Sequence, residues 1–109
     1  MNDLEICKRI AEIDGAFKST HDGIHVTAYF TVGCGVHTYE STIHGYNPLT
    51  DDALCFQLIE KYKVLIDWAN SNNDCMASIF IDVDNNVAVR YSDLKRAVAM
   101  VIIKSKDQS

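Results

Sequence analysis

The sequence predicts an α+β fold, an antiparallel sheet with helices packed on it in the order α-β-β-α-β-β-β-α. Three observations support this class: apolar residues at helical spacing, apolar and polar residues in alternation, and strands that follow one another directly. Strands adjacent in sequence favour antiparallel pairing. At 109 residues and 48% hydrophobic composition, the chain is expected to form one domain over residues 1–109.

The first helix is expected to span residues 3–14. Asn2 and Glu5 form a capping pair, in which the Asn side chain accepts from a free backbone N–H. Apolar residues then recur at helical spacing until Gly15: Leu4, Ile6, Cys7, Ile10 and Ile13. The polar segment from Ser19 to Gly23 is predicted to be a loop.

A β-hairpin is predicted next. Apolar residues alternate with polar ones from Ile24 to Val32, a period of two. Gly33, Cys34 and Gly35 form a turn of small residues, and the second strand runs from Val36 to Ile43. Polar and aromatic side chains share one face of the first strand, and three from the second strand are candidates to join them: His25, Thr27, Tyr29 and Thr31, with His37, Tyr39 and Ser41.

The exposure of that polar and aromatic face has three interpretations. Aromatic side chains on an open sheet can stack on bases, but neither strand carries Lys or Arg. The face is therefore expected to be solvated, half-covered by a helix, or a protein-contact surface. Tyr29 and Tyr39 are its candidate interaction residues.

The segment from Tyr46 to Ala53 predicts the start of a central helix over residues 51–62. Pro48 disfavours helical backbone at Asn47, and Thr50 can cap the first turn. Asp51 and Asp52 lie where the helix dipole favours negative charge. As neighbours on a helix, these two carboxylates point apart and are poor partners for acid–base chemistry.

The C-terminal half predicts three strands and a helix. The strands run from Val64 to Trp68, from Met76 to Val83 and from Val87 to Tyr91, with a polar loop over residues 69–74 and a tight turn at Asp84–Asn86. Ser92 can cap a last helix that begins at Leu94. Residues 104–109 are expected to form a frayed tail.

Charge and composition exclude several classes of protein. The net charge is −5, and no Lys or Arg occurs over residues 19–60 or 64–89, so we expect no nucleic-acid partner. No run approaches the roughly 20 apolar residues of a membrane helix, and the first residues are acidic, so a cytoplasmic protein with no membrane contact is expected. Four cysteines without a C-x-x-C pair predict buried free thiols.

The sequence contains no complete set of metal ligands or catalytic residues. Cys34, His37 and His44 are possible zinc ligands or a Cys–His pair, but a fourth ligand and an orienting residue are missing. Asp82–Asn86 opens like a calcium loop, yet Val87 stands where that loop needs Gly, so a hairpin turn is preferred. We therefore expect no metal, no cofactor and no catalytic residues, and a protein that is not an enzyme.

The run from Tyr46 to Leu54, Y-N-P-L-T-D-D-A-L, resembles the aromatic-N-P-L-T-D-D segment of small phage and prophage proteins, the phage ABA sandwich domain family. The resemblance implies a three-layer α/β/α sandwich and an origin in a phage or prophage, hence the cytoplasm of a bacterial host. It implies no activity. Family members commonly continue with Gly and an acidic residue after the second Asp, whereas this chain continues with Ala53.

The expected function is that of a small non-catalytic phage accessory protein that binds a host or phage protein, with host defence or regulation as candidate targets. The alternative is a small-ligand (anion) binding protein or an enzyme, because a helix N-terminus offers free backbone donors to an anion. That pocket would lie at Asn47, Thr50, Asp51 and Asp52. A homodimer through the edge strand Val87–Tyr91 is also possible.

Overall fold

The described residues of the computed structural model are 2–34, 36–68, 74–81 and 86–107, and they form three helices and two three-stranded antiparallel sheets. The predicted α+β class is therefore confirmed. The chain divides into two compact units, residues 1–47 and residues 48–109. No helix within the described ranges is long and apolar enough to cross a membrane.

The first unit contains one helix and one sheet. Its elements are α1 (Asp3–Ile13), β1 (Lys18–His21), β2 (Val26–Cys34) and β3 (His37–His44), and the strands lie in the order β1-β2-β3. Helix α1 begins as predicted, because Asn2 Oδ1 accepts a hydrogen bond from the Glu5 backbone N–H at 2.9 Å.

Strand β1 was not predicted. Residues 19–23 were expected to form a loop, but Lys18–His21 pairs with β2, Thr20 opposite Thr27. The strand is mostly exposed and lacks apolar alternation, so its sequence carries no period-two signal. The observed order is therefore α-β-β-β-α-β-β-β-α.

The core of the first unit lies between α1 and one sheet face. Helix α1 contacts β1 and β2. Six residues of α1 and β2 are almost fully buried: Ile6, Cys7, Ile10, Ala11, Val26 and Ala28. Such burial of the apolar stripe provides most of the driving force for packing a helix on a sheet.

The hairpin between β2 and β3 is tighter than predicted. Strand β2 extends to Cys34 and β3 begins at His37, so the strands include part of the expected turn at residues 33–35. Gly33 has φ +119°, and a Cβ there would collide with the His37 carbonyl. Only glycine fits at this position. Gly35 lies outside the described residues.

The second unit contains α2 (Asp52–Tyr62), β4 (Leu65–Trp68), β5 (Cys75–Phe80), β6 (Asn86–Tyr91) and α3 (Leu94–Asp107), with strand order β4-β5-β6. Helix α3 packs on β5, β6 and α2. Its core includes alternate residues of β5 and one stripe of α3: Cys75, Ala77, Ile79, Val98, Val101 and Ile102.

Two expectations for this unit were wrong, and two lie outside the described residues. Helix α3 continues to Asp107, so residues 104–107 are not a frayed tail. Strand β5 ends at Phe80 rather than at Val83. Residues 69–73, 82–85 and 108–109 are outside the described part of the chain. Most of the predicted polar loop therefore cannot be compared with the structure. The same holds for most of the predicted turn at Asp84–Asn86 and of the possible calcium loop.

The N-caps of α2 and α3 each lie one residue later than predicted. Asp51 Oδ1, not the Thr50 hydroxyl, accepts from the Leu54 backbone N–H at 3.2 Å. Asp93 Oδ1, not Ser92, accepts from the Lys95 backbone N–H at 3.0 Å. Both helices begin after two consecutive capping residues, and the path of the preceding chain decides which of the two takes the N-cap position.

Candidate functional site

Tyr46, which opens the predicted family segment, has a structural role. Its side chain is 1% exposed, and its hydroxyl donates to Asp14 Oδ2 at 3.1 Å. Its ring lies 6.1 Å from the Phe30 ring, and its backbone N–H donates to the Val26 carbonyl at 2.9 Å. Tyr46 thus joins the end of α1 to the sheet.

Asn47 lines a small cavity within the first unit. The Cys7 thiol donates to Asn47 Oδ1 at 3.2 Å. The cavity has a volume of about 170 Å³, and its walls include Leu4 and His25. Ligand pockets usually have volumes of about 300–1,000 Å³, so this cavity admits only a very small molecule.

The other three residues of the predicted anion site belong to the second unit, where two of them stabilise its helices. Asp51 is the N-cap of α2, so its carboxylate already satisfies one of the free backbone donors. Asp52 Oδ1 lies 2.7 Å from Lys95 Nζ, and this hydrogen bond raises the pKa of Lys95. Thr50 is exposed.

An exposed apolar surface lies on one face of β2 and β3. Directly opposed residues of an antiparallel pair point to the same face. Val32 pairs with Tyr39, and Ala28 pairs with Ile43, so these residues share the face on which Ala28 is buried. Tyr39 is 64% exposed, Ile43 42% and Val32 39%. We call Val32, Tyr39 and Ile43 the hairpin face.

Tyr29 and Tyr39 do not share a face, contrary to expectation. Tyr29 pairs with Thr42, whose side chain points away from the hairpin face. The Tyr29 ring lies 6.4 Å from the Phe17 ring, and Lys18 Nζ lies 5.4 Å from its centroid. Tyr29 therefore packs against its own neighbours, and Tyr39 is the more accessible candidate.

The possible zinc set does not assemble. His37 and His44 lie seven positions apart on β3, which corresponds to about 23 Å in an extended strand. One zinc ion therefore cannot bind both rings. Within the described ranges, no group of three or more His, Cys, Asp or Glu side chains is close enough to hold a metal.

Three cysteines are free and buried, as predicted: Cys7, Cys55 and Cys75. Burial raises the pKa of the Cys55 thiol and also that of the Cys75 thiol. A raised pKa reduces the thiolate population at neutral pH, so both are poor nucleophiles. The side chain of Cys34 is outside the described part of the chain.

A groove at the ends of α2 and α3 was missed by the sequence analysis. Its volume is about 290 Å³, and Lys61, Tyr62, Lys63 and Lys106 form much of its wall. The sequence signal was present, because Lys61 and Lys63 interrupt a long stretch that otherwise lacks Lys and Arg. Their position near a helix C-terminus was a sufficient local explanation, since cations there interact favourably with the helix dipole.

No family model, no curated protein and no solved structure matches this chain significantly.

Proposed function

We propose that this chain is a small non-catalytic accessory protein of a phage or prophage that binds a host or phage protein through the hairpin face, with host defence or regulation as the process it targets. The phage origin depends on the resemblance of residues 46–54 to the phage ABA sandwich domain family. The single observation that supports protein binding is the exposure of Val32, Tyr39 and Ile43 on a sheet face that is elsewhere buried under α1.

The edge of β3 adds a second means of binding. Strand β3 is the last strand of its sheet and is eight residues long. Exposed edges are usually protected by Lys, Pro or short length, whereas β3 contains neither Lys nor Pro, and Glu40 is its one acidic residue. An extended segment of a partner could pair with this edge and place alternate apolar side chains on the hairpin face.

The chemistry of the surface defines the partner. The hairpin face is apolar, and Tyr39, opposite Val32, belongs to a residue type enriched in protein interfaces. A matching partner would offer a β-strand with apolar residues on one side. Binding would order the partner's strand at a cost in conformational entropy, which limits the affinity. The affinity is therefore expected to depend on a few residues, with Tyr39 foremost.

The alternative, an anion site at the start of α2, has less support. Asp51 places a carboxylate at the helix N-terminus, which would repel an anion. The Asn47 amide oxygen accepts from Cys7, and the adjoining cavity is small. The protein-binding proposal is therefore preferred.

Affinity capture with matched variants tests the proposal. The bait is the full chain in lysate of the native bacterial host, and Tyr39→Glu places a charge on the hairpin face. Thr42→Glu is the control, because Thr42 is an exposed residue of the same strand that points to the opposite face. Wild type and Thr42→Glu should recover the same discrete partner, and Tyr39→Glu should lose it.

Two results would contradict this function. Failure of the wild-type chain to enrich a partner at low ionic strength would remove the basis for a binding protein. Equal loss by Tyr39→Glu and Thr42→Glu, with both variants folded by circular dichroism, would show that the hairpin face is not the contact surface.

A further inference from the structure

The sheet of the second unit has one covered face and one open face. Helix α3 packs on β5 and β6, and Cys75, Ala77 and Ile79 are buried on that side. The β5 residues between them point the other way, and directly opposed residues of neighbouring strands share a face. The pairing register therefore assigns to the uncovered side, here called the open face, six residues among others: Leu65, Asp67, Met76, Phe80, Ala88 and Arg90.

The open face combines apolar area with two opposite charges. Phe80 is 64% exposed and Leu65 52%, and Met76 is partly buried between its neighbours. Asp67 and Arg90 are exposed, and no ion pair among the described residues includes either of them. Aromatic residues, Met and Arg are enriched in protein interfaces, so this composition suits a contact surface.

Two neighbouring rows of the open face place unlike side chains on the two outer strands. In one row, Asp67 on β4 and Arg90 on β6 lie on either side of Met76. In the next row, Leu65 on β4 and Ala88 on β6 lie on either side of β5. Strand β4 thus carries the acidic and the large side chain, and β6 carries the basic and the small one.

This pattern is complementary to itself about a two-fold axis that runs parallel to the strands above β5. A second copy placed by that axis lays its β4 over β6 of the first. Asp67 then faces Arg90 of the other copy, and Leu65 faces its Ala88, so each contact occurs twice. An axis across the strands at the Met76 row would instead bring Asp67 to Asp67 and Arg90 to Arg90, and like charges repel.

We infer that this protein forms a symmetric homodimer in which the open faces of two copies pack on each other with their strands aligned. The face is small, because its strands have four, six and six residues and cover roughly 300 Å² in projection. An interface of this size is at or below the low end for specific complexes, so a dissociation constant on the order of 100 μM is expected. The inference does not depend on the proposed protein-binding function, because the hairpin face belongs to the first unit.

Sedimentation equilibrium of the full chain under reducing conditions measures this association. Wild type should approach the mass of a dimer at about 1 mM and that of a monomer at about 10 μM. Asp67→Arg and Arg90→Asp should each weaken dimerisation by about tenfold or more, because each variant opposes like charges twice in the dimer. Glu60→Arg makes the same charge change as Asp67→Arg at an exposed position of α2, and this matched control should dimerise as wild type does.

Charge exchange separates the contact from an effect on folding. The double variant Asp67→Arg/Arg90→Asp restores opposite charges across the axis and should dimerise within about threefold of wild type. An equimolar mixture of the two single variants should form a heterodimer, because each variant then offers the other its opposite charge. Both positions are exposed, so the single variants should remain folded, which circular dichroism checks.

Four results would overturn the inference. They are a wild-type chain that stays monomeric at about 1 mM, a mixture of the single variants that stays monomeric, an equal loss of dimerisation in Glu60→Arg, and dimerisation that Asp67→Arg and Arg90→Asp leave unchanged. The last result is expected if two copies pair through the edge of β6 instead.

Discussion

Among the residues that the structure describes, Lys63 is the one non-glycine residue with a positive φ. It ends α2 in the left-handed conformation, with φ 55° and ψ 49°, and its backbone N–H as C-cap donates to the Ile59 carbonyl. This position usually belongs to glycine, because an L-residue with a Cβ pays roughly 1–2 kcal/mol there.

Replacing Lys63 with Gly should stabilise the protein. The relieved strain exceeds the extra entropy of glycine in the unfolded chain, so the free energy of unfolding should rise by about 0.5–1 kcal/mol. Urea denaturation measures the change. Lys61→Gly is the control: Lys61 has helical backbone, and glycine there should lower the free energy of unfolding by about 1 kcal/mol. A loss of stability in Lys63→Gly would contradict this account.

We expect Cys55 to make the free energy of unfolding depend on pH. Burial raises the pKa of its thiol, so the folded state holds the proton more tightly than the unfolded chain does. Its contribution to stability is complete below the unfolded pKa of about 8.5 and is lost as the pH rises through the folded value.

We therefore expect the free energy of unfolding to fall between about pH 8 and pH 10, and to fall less steeply in Cys55→Ala. Urea denaturation under reducing conditions at several pH values gives both slopes. Cys55→Ala lowers stability at every pH because it leaves a cavity, so the slopes, not the absolute values, are compared. Equal slopes would show that Cys55 does not titrate in this range.

At the scale of the element, the start of α2 shows how much the sequence reveals. Helix period, the Pro48 boundary and the acidic first turn placed the helix within a residue of its observed start, Asp52. The choice between Thr50 and Asp51 as N-cap was wrong, since both side chains suit the role. Only the backbone conformation of Asp51, extended with ψ 106°, settles it.

Alanine substitution distinguishes the two capping residues. Asp51→Ala should lower the free energy of unfolding by about 1 kcal/mol, because the Leu54 backbone N–H loses its acceptor. Thr50→Ala should change it by less than about 0.5 kcal/mol, as expected for an exposed residue without a capping role. Thermal denaturation of both variants makes the comparison. A larger effect for Thr50→Ala would restore the original prediction.

At the scale of the whole molecule, we expect the excess of acidic over basic residues to determine how solubility varies with pH. The chain has 15 acidic and 10 basic residues, and its calculated isoelectric point is about 5.1. Net charge near zero promotes association. We expect a solubility minimum near that pH, measured by precipitation across a pH series. Glu40→Gln should move the minimum to higher pH, and Thr50→Ala should leave it unchanged. A minimum at the same pH in wild type and Glu40→Gln would contradict an origin in net charge.

Chain length bears on how the molecule unfolds. The two units contain residues 1–47 and 48–109. Segments of about 60 residues bury only roughly 60% of the surface that their unfolded chain exposes, less than larger domains do, and are marginally stable alone. The single domain expected from sequence therefore stays a prediction, and we expect one unfolding transition, at the same midpoint by circular dichroism and by fluorescence of Trp68, the only tryptophan. Independent cooperative melting of a 48–109 fragment would contradict it.

Local interactions explain what the sequence by itself determined. The α+β class, the three helices and five of the six strands depend on periodicity and on capping within three or four residues, all of which are visible in the sequence. Buried cysteines followed from composition and spacing in the same way.

The tertiary structure alone decided which distant residues meet. Strand β1 has no period of its own and exists because β2 supplies its hydrogen-bonding partner. The pairing register separates Tyr29 from Tyr39 and leaves Tyr39 exposed on the hairpin face. The groove lined by Lys61, Lys63 and Lys106 lies between the end of α2 at Tyr62 and the end of α3 at Asp107. A shift of one residue in register reverses every side chain of a strand, so only the assembled sheet and packed helices could establish these surfaces.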